Sequence, residues 1–223
     1  MAAPDPDEHA RRLAAATADD PTGWFELLYS AAEDGEAGVP WDRGEPHPLL
    51  VSWMEDRAPA PDGRNAVVVG SGLGEDAEFV SRQGWETVAF DVSESAVRGA
   101  RRRFPRTTVD YRVADLFALP PSWQGAFDLV VENMTVQSLP PDLHLEAIAR
   151  IRGLPAPGGT LLVIGMVGDP DRPADGPPWP LTRPEIESFA SGDVHLRRLE
   201  EPVDPGRDVR RWRGEFGRAG AAR

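Results

Sequence analysis

Apolar positions along this 223-residue chain fall into helical and extended registers by turns. Trp24, Leu27, Leu28 and Ala31 recur at i, i+3, i+4 and i+7, which predicts a helix opening at Asp20-Pro21-Thr22 and closing near Asp34-Gly35. Leu49, Leu50 and Trp53 mark a short helix that runs to Met54. Val67-Val68-Val69 and then Thr87 to Asp91 read as buried strands, with a helical segment between them. Ser93 suits the N-cap of a helix bearing Ala96, Val97, Ala100 and Phe104. Val109, Tyr111 and Val113 alternate as a third strand, and Ala126 to Asn133 forms a fourth.

A helix from about Asp142 carries Leu143, Ala147, Ile148 and Ile151, and residues 154–159 make a tight reversal into a fifth strand, Thr160 to Ile164. Thr182 and Glu185 have capping-box spacing ahead of Ile186 and Phe189. Val194 to Leu199 and Val209 to Phe216 complete seven strands as an antiparallel hairpin edge. Strands alternating with helices predict an α/β fold: a doubly wound, mostly parallel sheet whose last strand is antiparallel. The division expected is a flexible tail over 1–20, a helical cover over 21–63, a core over 64–216 and a C-terminal tail over 217–223.

The chemistry concentrates between Val67 and Asp91. Gly70, Gly72 and Gly74 follow the first strand at every second position, so the backbone can take positive φ and a ligand can approach without meeting a Cβ. Asp91, at the end of the second strand, sits where a carboxylate accepts ribose hydroxyls. An ordinary strand-to-helix turn is the simpler alternative. A dinucleotide fingerprint needs its third glycine one residue later, where Glu75 stands, and Glu75 with Asp76 would repel a pyrophosphate. The pattern favours a nucleoside cofactor without phosphates, and S-adenosylmethionine fits; a nicotinamide-dependent oxidoreductase is the competing reading. Asp115 and Leu116, past the third strand, suit an adenine ring. Glu132 and Asn133, at the carboxyl end of the fourth, face the same crevice.

Composition narrows the partners. A net charge of −13 disfavours a nucleic-acid backbone as ligand. There is no cysteine and no lysine, which excludes cysteine-based metal sites and lysine Schiff bases; no His and carboxylate spacing suggests a metal. No apolar run approaches membrane-spanning length, and a soluble, cytoplasmic protein is expected. The oligomeric state is left open. Arg197, Arg198, Arg210, Arg211 and Arg213 read as a solvated face. His47 and His144, near helix starts, read as surface or capping residues, with Glu132 or His144 the candidate base for an acceptor that needs one.

In this order, Gly70 to Gly74, Asp91, Asp115, Phe127 to Glu132 and Pro157 to Leu162 resemble a class I S-adenosylmethionine-dependent methyltransferase, with its Rossmann-like sheet. Trp24 with Val39-Pro40-Trp41-Asp42-Arg43-Gly44, and Gly176 to Leu181, are similar to the thiopurine, thiol and halide methyltransferase branch. The resemblance implies methyl transfer from S-adenosylmethionine to a small acceptor such as a thiol or halide, leaving S-adenosylhomocysteine; a binding protein without catalysis is the alternative. It assigns Gly70, Ser71, Gly72, Gly74, Asp91, Val92, Asp115, Leu116 and Glu132 to the cofactor. Glu132 and Asn133 fall at the transfer end. Trp24, Trp41, Gln137 and Trp179 would cover the acceptor.

Overall fold

The computed structural model describes residues 5–17, 19–205 and 207–220. Seven strands form one sheet in the order β3-β2-β1-β4-β5-β7-β6. They are β1 (Asn65–Val69), β2 (Glu86–Asp91), β3 (Asp110–Val113), β4 (Phe127–Asn133), β5 (Pro155–Met166), β6 (Val194–Glu200) and β7 (Arg211–Arg218). The first five pair in parallel, and β7 runs antiparallel to both β5 and β6. The last strand is therefore antiparallel as expected. It lies inside the sheet, however, and β6 takes the edge.

Alternate residues of the inner strands feed two cores, which is why these strands read as unbroken apolar runs. Ala66, Val68, Leu129, Val131, Leu162 and Ile164 face α3 (Pro48–Arg57), α4 (Glu75–Arg82) and α5 (Glu94–Arg103). Val67, Val69, Val130, Leu161 and Val163 face α6 (Pro141–Arg152) and α7 (Arg183–Glu187). Thr182 and Glu185 form the reciprocal capping box, and Ser93 caps α5 through Ala96 N–H at 3.0 Å.

Several expectations are corrected. Within the expected flexible tail lies a helix, α1 (Pro6–Ala16), capped by Asp5; its Ala10 is buried against Trp24 and Leu28 of α2 (Gly23–Glu33), with Leu13 and Ala14 packed beside it. Leu27 is 47% exposed, because α2 turns Phe25 and Tyr29 inward beside Trp24 and Leu28 instead. Val113 is exposed, since β3 is an edge strand and ends there. Residues 155–159 belong to β5, with the register shifting opposite Phe127 and Leu129 where Gly158 takes φ +85°. The seventh strand starts at Arg211 and continues past 216, as Gly217 and Arg218 still pair with His195 and Val194.

Candidate functional site

A cavity of about 370 Å³ opens over the carboxyl ends of the strands, where an open parallel sheet offers its crevice. Its floor is the turn after β1. Gly70, Gly72 and Gly74 all have positive φ (+57°, +52° and +96°), yet their jobs differ. Gly70 and Gly72 line the cavity, and a Cβ on Gly72 would stand 2.7 Å from the Tyr29 hydroxyl. Gly74 does not line it. As the N-cap of α4 it lies against the Tyr111 hydroxyl and Ala100, so this third glycine serves helix packing.

Asp91 holds the turn in place: Oδ2 accepts from Gly72 N–H at 2.9 Å and Oδ1 from Ser93 N–H at 2.9 Å. Burial outweighs these bonds and raises its pKa to about 6. Each oxygen keeps a lone pair for a ligand hydroxyl. Val92, Asp115, Leu116 and Phe117 continue the wall; Asp115 accepts from Phe117 N–H at 2.8 Å and is exposed. The buried Ser71 Oγ has no partner among the described residues. Two carboxylates, a free hydroxyl, apolar walls and a Cβ-free floor fit a nucleoside with an amino-acid tail. Glu75 and Asp76 also face the cavity, which does not fit a pyrophosphate.

The cover differs from the three tryptophans anticipated. Trp41 faces the cavity and donates through Nε1 to Tyr29 Oη at 2.7 Å. Trp24 stacks on Phe25 with centroids 4.0 Å apart and meets Trp41 edge-on at 5.9 Å, so it backs the cover without facing the cavity. Trp179 lies over a second hollow beside Trp24, and its backbone N–H bonds Gln137 O at 2.6 Å. The facing residues missed in the sequence are Phe25 and Tyr29. Their i, i+4 spacing, one position on from Trp24 and Leu28, was the available signal.

At the end of β4 the two polar residues part company. Asn133 and Gln137 line the cavity; Asn133 Nδ2 donates to Asp76 Oδ2 at 2.7 Å, and Gln137 Oε1 accepts from Met166 N–H at 2.6 Å. Glu132 does not line it. Its side chain turns under the following loop, accepting from Thr135 N–H at 2.8 Å and Val136 N–H at 3.0 Å through Oε1, and burial raises its pKa to about 7. The cofactor and catalytic roles expected of Glu132 called for a side chain in the cavity, and the structure instead has it capping the turn that carries Thr135. His144 is buried behind, with Nε2 2.9 Å from Leu139 O and Nδ1 2.7 Å from Glu185 Oε1, outside the cavity. Burial of Glu185 is outweighed by His144 and Thr182, which hold its carboxyl down to about 2.

The opposite end of the cavity is basic, which the sequence did not announce. Arg211, expected on a solvated face, is 3% exposed and shares the fully buried Asp204 with Arg43. His47 caps α3 by accepting from Leu49 N–H at Nδ1, which places its proton on Nε2, 3.7 Å from Asp204 Oδ2. Burial and then Arg43 push its pKa down to about 3, so this imidazole is neutral. Among the described residues no group of three or more His, Asp or Glu is placed to hold a metal. Among them, too, no helix is long and apolar enough to cross a membrane.

Comparison with known proteins agrees with this geometry. A family model described as thiopurine S-methyltransferase matches residues 34–213. A thiopurine S-methyltransferase of Vibrio vulnificus is 34% identical over 89 residues, 40% of this chain and 39% of its own length. A probable thiol methyltransferase of Arabidopsis thaliana is 28% identical over 157 residues, 68% of this chain and 67% of its own. The chain thus spans about two fifths of the first relative and two thirds of the second. Among solved structures, the fold is shared with a Burkholderia thailandensis 1,6-didemethyltoxoflavin-N1-methyltransferase bound to 1,6-didemethyltoxoflavin and S-adenosylhomocysteine. The TM-score is 0.63 and identity 20%, over 96% of this chain and 91% of that one.

Proposed function

The chain belongs to the thiopurine S-methyltransferase family, and from that premise we propose that it transfers a methyl group from S-adenosylmethionine to the sulfur of a small thiol. The observation that carries this reading is the run of Gly70, Gly72, Asp91 and Asp115 along one wall of a cavity that continues past Asn133 to a second, basic end. Bound there, the cofactor supplies an activated methyl group whose leaving group is a neutral thioether. The protein's share is alignment, an effect worth up to about 7–11 kcal/mol. In this reading Asp91 and Gly72 fix the ribose, Asp115, Leu116 and Phe117 hold the adenine, and Asn133 marks the transfer end. Trp41, Tyr29 and Phe25 exclude water.

A thiol is favoured over a hydroxyl or amine because the bases anticipated for those acceptors are engaged elsewhere, Glu132 under its loop and His144 against Glu185, while His47, with Nδ1 capping α3 and its pKa pushed down to about 3, is too weak a base to replace them. A thiol is partly ionised already and can react without such a base. A cytoplasmic location belongs to the same proposal, and cell fractionation tests it. The decisive assay follows formation of S-adenosylhomocysteine with thiols, halides, phenols and amines. Turnover is expected with thiols, rising with thiolate fraction. Turnover confined to phenols or amines overturns the thiol assignment, and tight cofactor binding without turnover on any acceptor overturns catalysis.

A further inference from the structure

The basic end of the cavity bears on what the acceptor carries besides its sulfur. Arg211 pairs with Met166 across β5 and β7, so it stands at the carboxyl end of β5, beyond Asn133 and away from the glycine turn and Asp91. Its Nε and Nη2 both go to Asp204 Oδ2, at 3.1 and 3.0 Å. Its Nη1 is buried and has no acceptor among the described residues, and the same holds for Arg43 Nε. Both side chains line the cavity. A guanidinium N–H buried without an acceptor is costly, and a ligand oxygen removes that cost.

The charge count sets the valence. Arg43 and Arg211 face one buried carboxylate, Asp204, and His47 beside them is neutral, which leaves an excess of one positive charge. At the rim, exposed Arg207 adds to the positive field on His47 and Arg211, screened there by solvent. Asp76, the next carboxylate along, is engaged by His47 N–H at 2.8 Å and Asn133 Nδ2, and burial shifts it toward the neutral acid. One excess charge suits a monoanion, and the planar fork of arginine matches a carboxylate.

We propose that Arg43 and Arg211 form a carboxylate-binding subsite that selects a small thiol bearing one carboxylate as the acceptor. The proposal rests on the thiol-methylation reading above. A carboxylate can reach these arginines from the acceptor or from the amino-acid tail of the cofactor; Arg43 stands near Asp76 at the glycine turn, whereas Arg211, on β7 and so the third strand across from β1, favours the acceptor.

The test is calorimetric titration of 3-mercaptopropionate and its neutral counterpart 3-mercaptopropanol into protein saturated with S-adenosylhomocysteine. The carboxylate should bind about tenfold more tightly than the alcohol, and Arg211→Gln should abolish that preference while leaving S-adenosylhomocysteine affinity unchanged. Asp204→Asn, isosteric and without the internal counter-charge, should strengthen the preference. A merely structural cluster would weaken with it, and thermal melting shows whether either variant is folded. Equal binding of the two thiols, a preference that survives Arg211→Gln, or a loss confined to S-adenosylhomocysteine each overturns the proposal. If the carboxylate preference stands while neither thiol is methylated, the thiol reading fails and the subsite remains.

Discussion

At the residue scale, two buried carboxylates near the end of parallel strands do opposite things. Asp91 faces the cavity, and Asp91→Ala should weaken S-adenosylhomocysteine binding by about 10- to 100-fold in calorimetry, the usual worth of charge-assisted hydrogen bonds. An unchanged affinity would remove Asp91 from the cofactor site. Glu132 faces inward, with its pKa raised from 4.5 to about 7 by burial. Its protonated form favours the fold, so its contribution is present at low pH and is lost as pH rises through about 7. Thermal melts should therefore show stability falling between pH 5 and pH 8, and Glu132→Gln should flatten that decline. A wild-type slope in Glu132→Gln would refute this. The place of Asp91 at the cavity was legible because an acid ending the second strand of a parallel sheet lies at the crevice. Glu132 was misread because sequence places a residue at a strand end without saying which way its side chain turns, and the two amides of Thr135 and Val136 settled that. Arg211 was misread for a related reason: an arginine in an alternating strand normally points to water, and only the counter-charge of Asp204, from another loop, lets it stay buried.

At the scale of elements, local signals were strong where caps and unbroken apolar runs agree. Ser93 and the Thr182–Glu185 box start their helices as read, and Thr182→Ala should cost about 1 kcal/mol in urea unfolding. Gly74 makes a sharper case. With φ at +96° and the Tyr111 hydroxyl and Ala100 against it, Gly74→Ala should lower stability by about 1–3 kcal/mol, read as an earlier urea midpoint. Since Gly74 does not line the cavity, the folded variant should keep parental affinity for S-adenosylhomocysteine. A ten-fold loss of affinity at unchanged stability would return Gly74 to the cofactor site. Elements were harder to read where a partner decides. Helix α1 seats Ala10, Leu13 and Ala14, an i, i+3, i+4 pattern blurred by the alanines around it, and the start of β5 follows Phe127 through a bulge that proline and glycine disguise as a turn.

At the scale of the molecule, the strand count and the parallel core could be read from alternation of strands and helices, but the order of the last two strands could not. Sequence neighbours suggest a hairpin; whether its first or second strand meets β5 depends on which one carries the better inner face. Here β7 supplies Trp212 and Phe216 to the core, with Trp212 Nε1 bonding Leu181 O at 2.7 Å, whereas β6 is exposed along most of its length. Deleting residues 211–218 should therefore leave no cooperative thermal transition, since β5 loses one of its two neighbours and β6 loses the strand that, among the described residues, joins it to the sheet. A cooperative melt in that deletion would show the core to be complete without β7.

The same placement of β7 has a consequence for synthesis. A ribosome delivers β1 to β5 and then β6 before the strand that joins them, so the long flank of β5 stays open while some forty-odd further residues emerge. The two arms that meet on Asp204, Arg43 early in the chain and Arg211 late, can close only after that. The nascent protein can thus assemble its parallel core early, whereas the basic end of the cavity comes into being last.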